Sequence, residues 1–296
     1  MTAIAKAVYL HTRRTKRNLS GVLGGLRENP AAMISGAIVL FYILVAVLAP
    51  WITPAHPNEG NLARRLSQPN PAHWFGTDGL GRDLLSRTMY GARVSILVGL
   101  LSVGLCVLFG VSLGLLAGYY RGWLDAVLSR FSELLLAFPY LISAIGMMAF
   151  LGPGFWNLVW ALALRGWVEF FRLARGETLA QNTKEYVEAA RSLGQPGWRI
   201  MLREILPNII ASVIVLATLR VGFLIVLEAS LSFLGVGIPP TIPAWGSMIS
   251  EGRNVLFIAW WVSTIPGLAL VLLVLAINLL GEGLREVLDP RLKVQT

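Results

Sequence analysis

Apolar residues occur along this chain in six long runs separated by polar and charged segments. The runs cover residues 31–49, 94–118, 131–151, 155–171, 209–234 and 258–281. A helix that crosses a bilayer needs about 20 predominantly apolar residues, so the pattern predicts six transmembrane helices. The fourth run carries Arg165 and Glu169 in its second half, which makes its limits the hardest to place.

Composition agrees with a membrane protein. Hydrophobic residues make up 55% of the 296 residues and charged residues only 14%, and the mean hydropathy is +0.66. A soluble core cannot hide this much apolar surface. We therefore expect an all-α integral membrane protein with six transmembrane helices.

Lysine and arginine residues indicate the orientation of the chain. They cluster in segment 1–30, in loop 172–207 and in tail 282–296, which predicts that all three are cytoplasmic. Segment 50–93 is then an extracytoplasmic loop; it also contains arginines, but long loops follow the positive-inside rule less strictly. The transmembrane domain is expected to span residues 31–281.

Small residues and prolines inside the runs predict how the helices pack. Gly110, Gly114 and Gly118 recur every fourth residue, so they share one helix face on which a neighbouring helix can approach closely. A direct role in lining a pathway is the alternative. Pro139 and Pro266 fall inside apolar runs and predict kinks.

Polar residues inside the runs are candidates for function, because charges within a membrane are costly. Arg220 and Glu228 lie in the fifth run and are expected to face the protein interior, either touching a solute or stabilising helix packing. Cys106 is the single cysteine and is expected to be a buried, inert thiol.

Motifs of enzymatic chemistry do not support a catalytic role. No lysine follows a glycine, so a phosphate-binding G-x-x-x-x-G-K-[ST] loop is absent. The three histidines are isolated from one another, and the serines have no histidine partner within a span. The net charge of +9 is spread over the loops and matches no nucleic-acid-binding motif. We expect no enzyme, no metal site, no cofactor bound by this chain and no nucleic-acid partner.

A charged stretch, EYVEAARSLGQPGWRIMLREILPN, interrupts the apolar pattern at residues 185–208. Helical spacing and the Gly-Gln-Pro-Gly sequence at 194–197 predict two short helices joined by a turn. The expected apolar faces are Tyr186, Ala189, Ala190 and Leu193 on the first helix, and Trp198, Met201, Leu202 and Ile205 on the second. Periodicity alone leaves open whether this element is a surface connector or a docking site for a partner.

The same stretch resembles the EAA loop of permease subunits from binding-protein-dependent ABC importers. The resemblance lies in Glu188-Ala189-Ala190, in Gly194 and in Leu206-Pro207, while Glu204 departs from the general pattern. Segments 73–93 (HWFGTDGLGRDLLSRTMYGAR) and 171–249 are similar to the dipeptide, oligopeptide and nickel permeases of this family. The resemblance covers most of the chain from residue 31 onward.

The resemblance implies a type I ABC importer permease fold and a set of partners. These are a second homologous permease, two ATPase subunits that hold ATP and Mg, an extracytoplasmic solute-binding protein and membrane lipid, all at the bacterial inner membrane. It implies that Glu188 pairs with a basic group of an ATPase, and that a dipeptide or oligopeptide passes by alternating access. Nickel or another small solute is the alternative. A self-sufficient secondary transporter is a further alternative, although the chain lacks the paired-half repeat expected of one.

Overall fold

The computed structural model describes residues 29–288. Segments 1–28 and 289–296 lie outside the described residues. They contain most of the basic residues from which cytoplasmic termini are predicted. Within this range the chain forms helices and no extended strand, which confirms the all-α prediction. The helices are α1 Pro30–Ile52, α2 Leu84–Tyr120, α3 Gly122–Leu136, α4 Tyr140–Leu151, α5 Phe155–Gln181, α6 Glu185–Ser192, α7 Gly197–Ile200, α8 Leu206–Phe233, α9 Trp245–Arg253 and α10 Trp261–Leu288.

Four stretches of helix in the described residues are long and apolar enough to cross a membrane: α1, α2, the continuous stretch Gly197–Phe233 that contains α8, and α10. A fifth crossing is counted if α3 and α4 form one bent span. The fourth predicted run corresponds to α5, a helix of 27 residues whose second half is rich in charge. The structure thus confirms a multi-span helical protein, whereas the count of six crossings stays a prediction.

The third run does not form the single straight helix that the pattern predicts. It is divided between α3 and α4, which meet at an angle of 91° across a short break. Pro139 lies in that break, directly before the first residue of α4. Proline lacks the N–H that a continuing helix needs and disfavours helical backbone in the residue before it. The kink expected at Pro139 is confirmed, while Pro266 lies inside the uninterrupted helix α10.

The second run belongs to a longer helix than predicted. Helix α2 begins at Leu84 rather than at residue 94, so the last ten residues of the predicted loop 50–93 belong to this helix. The Asp83 carboxylate caps this start by accepting a hydrogen bond from the Ser86 amide at 2.8 Å. Gly81 precedes the cap with φ +73°. The apolar pattern alone did not predict the first helical turns of α2, residues 84–93, because these turns contain polar and glycine residues.

The core of the bundle is the packing of α2 against α5. A Cβ atom added to Gly110 would lie 2.4 Å from the carbonyl oxygen of Trp167. At Gly114 it would lie 2.7 Å from the carbonyl oxygen of Phe171, and at Gly118 2.9 Å from that of Arg175. The three predicted packing glycines therefore let two helix backbones approach more closely than any side chain would allow. Cys106 is buried in the same core, as expected.

The segment between α1 and α2 is held against α9 by charges. Arg82 donates to the Asp78 carboxylate at 2.6 Å and to the Glu251 carboxylate, on α9, at 2.8 Å. Arg87 is fully buried, with its Nε 3.4 Å from an Asp78 oxygen. This network fixes the predicted extracytoplasmic loop to the helical bundle.

Candidate coupling loop and intramembrane charges

The charged stretch forms the two predicted short helices, α6 and α7. The Gly194 amide donates to the Arg191 carbonyl at 2.9 Å, and the Gln195 amide donates to the Ala190 carbonyl at 3.1 Å. These two bonds form a Schellman motif, which ends a helix with one left-handed residue. Gly194 is that residue, with φ +71°, and no atom lies within 4 Å of the position of an added Cβ. Its conformation, rather than crowding, therefore calls for glycine.

The buried face of these helices differs from the predicted one. On α6 the buried residues are Val187 and Ala190, whereas Tyr186, Ala189 and Leu193 are exposed. In the second half, Met201 and Ile205 are buried as expected, together with Ile200, whereas Trp198 and Leu202 are exposed. Ala190, Met201 and Ile205 of the predicted faces are thus buried and the other residues of those faces are not, because periodicity identifies an apolar stripe without saying which edge meets the bundle.

Hydrogen bonds anchor the loop to the end of α2. Asn182 donates from Nδ2 to the Gly118 carbonyl at 3.0 Å, and its Oδ1 accepts from Arg191 at 2.6 Å. The Arg191 guanidinium also lies over the Tyr119 ring, 5.3 Å from the ring centroid. The loop is therefore fixed to the bundle at α6 as well as through α7.

Glu188 points away from this anchor. Its side chain is exposed and makes no ion pair or hydrogen bond with any other described residue. The nearby Arg191 is occupied by Asn182, and the Ser192 hydroxyl donates to the Glu188 backbone carbonyl rather than to its carboxylate. The intrachain pairing that could have explained this acidic residue is therefore not formed.

Exposed apolar side chains accompany Glu188 on the loop. Leu193 is 81% exposed, Trp198 59% and Leu202 53%. The Tyr186 side chain is also partly exposed. Partial burial of its hydroxyl, followed by the nearby Glu204 charge, raises the pKa of that hydroxyl. Its neutral hydroxyl donates to the Gln181 side chain at 2.8 Å. The loop therefore exposes several large apolar side chains as well as the acidic Glu188.

The second short helix continues into the membrane. A π-helical turn, Met201–Ile205, joins α7 to α8, so that residues 197–233 form one stretch of helix. Leu206 and Pro207 are the first two residues of α8. Pro207 has no N–H and therefore donates no backbone hydrogen bond within this stretch. The second helix of the loop and α8 are therefore parts of one continuous stretch of helix.

The two predicted interior charges lie in different surroundings. Arg220 forms an ion pair with Glu169 of α5. Glu228 is fully buried and accepts hydrogen bonds from Ser95 at 2.7 Å and from Ser232 at 2.9 Å. Sequence reasoning missed Glu169 as the partner of Arg220; the signal was that both are charges of opposite sign within apolar runs, where such charges pair with one another.

The family models and relatives that this chain matches all describe membrane components of transport systems. The family model described as "Binding-protein-dependent transport system inner membrane component" matches residues 110–294, and that of the "N-terminal TM domain of oligopeptide transport permease C" matches residues 19–69. The chain is 44% identical to the glutathione transport system permease protein GsiD of Pectobacterium atrosepticum, over 90% of this chain and 89% of the relative. It is 41% identical to the dipeptide transport system permease protein DppC of Alkalihalophilus pseudofirmus, over 90% and 88%.

One solved structure shares the fold. It is an inward-facing conformation of the MetNI methionine ABC transporter, which matches with a TM-score of 0.55 at 20% identity. The match covers 69% of this chain and 96% of that chain. At this identity the likeness is one of architecture.

Proposed function

Because this chain belongs to the family of inner membrane components of binding-protein-dependent transport systems, we propose that it is one of two permease subunits of an ATP-driven importer for peptide-like solutes. The type I importer permease fold expected from the sequence is confirmed. Relatives named for dipeptide and glutathione transport, each matched over most of its length, support the peptide-like solute. Nickel or another small solute is the alternative within the family.

The permease is proposed to couple to an ATPase subunit through α6 and α7. The observation that carries this proposal is the two-sided character of the loop. Its inner side is anchored to α2 through Asn182 and Arg191, and its outer side presents the unpaired Glu188 among exposed apolar residues. In the proposal, two ATPases bind ATP and Mg and move this loop, and α8 carries the movement to the solute pathway.

The proposed arrangement also assigns sides of the membrane. Both termini and loop 172–207 face the cytoplasm of a bacterial cell, and the segment between α1 and α2 faces a solute-binding protein outside the inner membrane. A second, homologous permease completes the pathway, which opens to one side at a time. ATP binding drives the cycle because the two states differ in their affinity for it.

Copurification tests the function directly. Expressed together with its genetic neighbours, this chain should bring down a second permease and ATPase subunits, and the reconstituted complex should import labelled peptide only with ATP. Solute transport by this chain alone would instead indicate a secondary transporter and overturn the proposal.

Cysteine labelling tests the orientation. In a Cys106→Ala background, single cysteines at Thr183 and Pro240, both exposed, should react with an impermeant thiol reagent from opposite faces of the membrane. The measurement is labelling in right-side-out and inverted vesicles. Reaction of both positions from one face contradicts the proposed topology.

Gly194→Val should uncouple ATP hydrolysis from uptake. Left-handed backbone costs an L-residue roughly 1–2 kcal/mol, and a β-branched residue tolerates it least, so the turn between α6 and α7 should change shape. Gly194→Asn is the matched control, because asparagine tolerates this conformation. We expect the uptake per ATP hydrolysed to fall in the valine variant alone, with normal membrane insertion in both. Equal coupling in the two variants would contradict a role for the turn.

A further inference from the structure

A groove runs between α5 and α8 towards the coupling loop. Its volume is 840 Å³, within the range of about 300–1,000 Å³ that is usual for ligand pockets. The two walls carry residues spaced four apart along each helix: Leu173, Glu177 and Gln181 on α5, and Asn208, Ser212 and Leu216 on α8. Arg285 of α10 also lines the groove. Acidic, amide, hydroxyl and basic side chains line the groove together with leucines, so this groove is suited to a polar solute.

The Glu169–Arg220 ion pair lines a separate crevice, one helical turn beyond the groove on both α5 and α8. Glu169 precedes Leu173 by one helical turn, and Arg220 follows Leu216 by one turn, so the pair continues both walls. Its side chains are 26% and 30% exposed, respectively, which leaves them open to an approaching group. A crevice of 10 Å³ beside the pair, lined also by Tyr140 and Phe223, has room for about one water molecule.

A second arginine, Arg165, lies on α5 close to this pair. Arg165 is one turn before Glu169 on α5, and its guanidinium lies over the Tyr140 ring at 5.4 Å. The residue is 8% exposed, and its buried Nε and Nη1 have no hydrogen-bond partner among the described residues. The cluster of Arg165, Glu169 and Arg220 thus carries one more positive than negative charge. A buried charge without a partner is costly, so the cluster is suited to an anionic group.

We propose that Arg165, Glu169 and Arg220 form a binding site for the carboxylate of the transported solute on its way through the permease. The guanidinium of Arg220 exchanges Glu169 for the solute carboxylate, and the unsatisfied N–H groups of Arg165 provide further donors. Planar guanidinium groups match carboxylates better than any other side chain does. Exchange with Glu169 keeps the binding weak, and a pathway needs weak binding because the solute must also leave. This inference rests on the proposed import of peptide-like solutes, every one of which carries a carboxylate.

Thiol protection in the assembled complex of two permeases and ATPases tests the site. A cysteine replaces Ser212 in the groove, in the Cys106→Ala background, and its rate of modification by a methanethiosulfonate reagent is measured. The probes are an enzymatic casein hydrolysate and the same hydrolysate after amidation of its carboxyl groups. We expect the free-acid peptides to slow the modification and the amidated peptides to leave it unchanged.

Variants assign the protection to the cluster. Arg220→Gln and Arg165→Gln should each raise the half-protecting peptide concentration by about tenfold or more, since each removes charge-assisted hydrogen bonds. Arg172→Gln, an exposed residue on the same helix, is the matched control and should protect like the parent. Arg220→Lys keeps the charge and should retain part of the protection, provided that complex yield shows normal assembly.

Two outcomes overturn the site while leaving the importer function intact. One is equal protection by free and amidated peptides, or no protection by either, in a complex that imports peptide with ATP. The other is a lower yield of the complex with Arg165→Gln while the protection by peptide is unchanged. This result would indicate that Arg165 pairs with an acidic residue of the second permease. A chain that brings down no ATPase fails the proposed function instead, and copurification detects this separately.

Discussion

Gly110→Val should prevent α2 and α5 from packing together and remove most folded protein from the membrane. The added Cβ would lie 2.4 Å from the Trp167 carbonyl oxygen and 2.6 Å from the Phe170 Cβ. Neither atom is the flexible end of a side chain, so relief requires one helix to move away from the other. Overpacking of a core typically costs about 1–3 kcal/mol, and more where backbone must shift. The measurement is the midpoint of thermal unfolding in detergent, together with the yield of monodisperse protein.

Gly104→Val is the matched control for this prediction. Gly104 lies on the same helix, and an added Cβ would meet no atom within 4 Å. Valine also has a better helix propensity than glycine, so this variant should be as stable as the parent. Equal stability of the two valine variants would show that the α2–α5 approach is less tight than the structure indicates.

Glu188→Lys should disrupt assembly with the ATPase and abolish coupled transport. The carboxylate is exposed and unpaired within the described residues, so its reversal costs the isolated permease little. At an interface, the same change replaces attraction by repulsion, and specific interfaces are strongly sensitive to such reversal. We expect the amount of copurified ATPase to fall by about tenfold or more. A Lys→Glu or Arg→Glu change in the ATPase should restore part of it.

Glu185→Lys separates docking from a general effect of charge. Glu185 is an exposed acid on the same short helix, so this variant makes the same change in net charge. It should copurify with the ATPase almost normally. A double-mutant cycle completes the test: an interaction energy of zero between Glu188 and every nearby basic residue of the ATPase would remove this residue from the coupling mechanism.

The coupling loop illustrates how far local sequence reaches. Its two helices and its turn at Gly194 followed from helical spacing and from the Gly-Gln-Pro-Gly sequence, which depend on neighbouring residues only. The face that is buried did not follow, because Val187 and Ala190 are selected by contact with the bundle, distant in sequence. The same holds for Glu188, which its match to the EAA motif identified from the sequence. Its lack of a partner within the described residues depends on the tertiary structure, because Arg191 bonds to Asn182 instead.

The sequence by itself determined that this protein is a helical membrane protein of an importer family, because apolar length, loop charge and motif spacing are local properties. Tertiary structure decided what depends on contacts between distant residues. It decided which face of α6 is buried against the bundle, and it paired Arg220 of α8 with Glu169 of α5. It also buried the positive charge of Arg165, whose Nε and Nη1 have no hydrogen-bond partner among the described residues. Such a charge is visible only in three dimensions, since its cost depends on burial and on which partners come within reach.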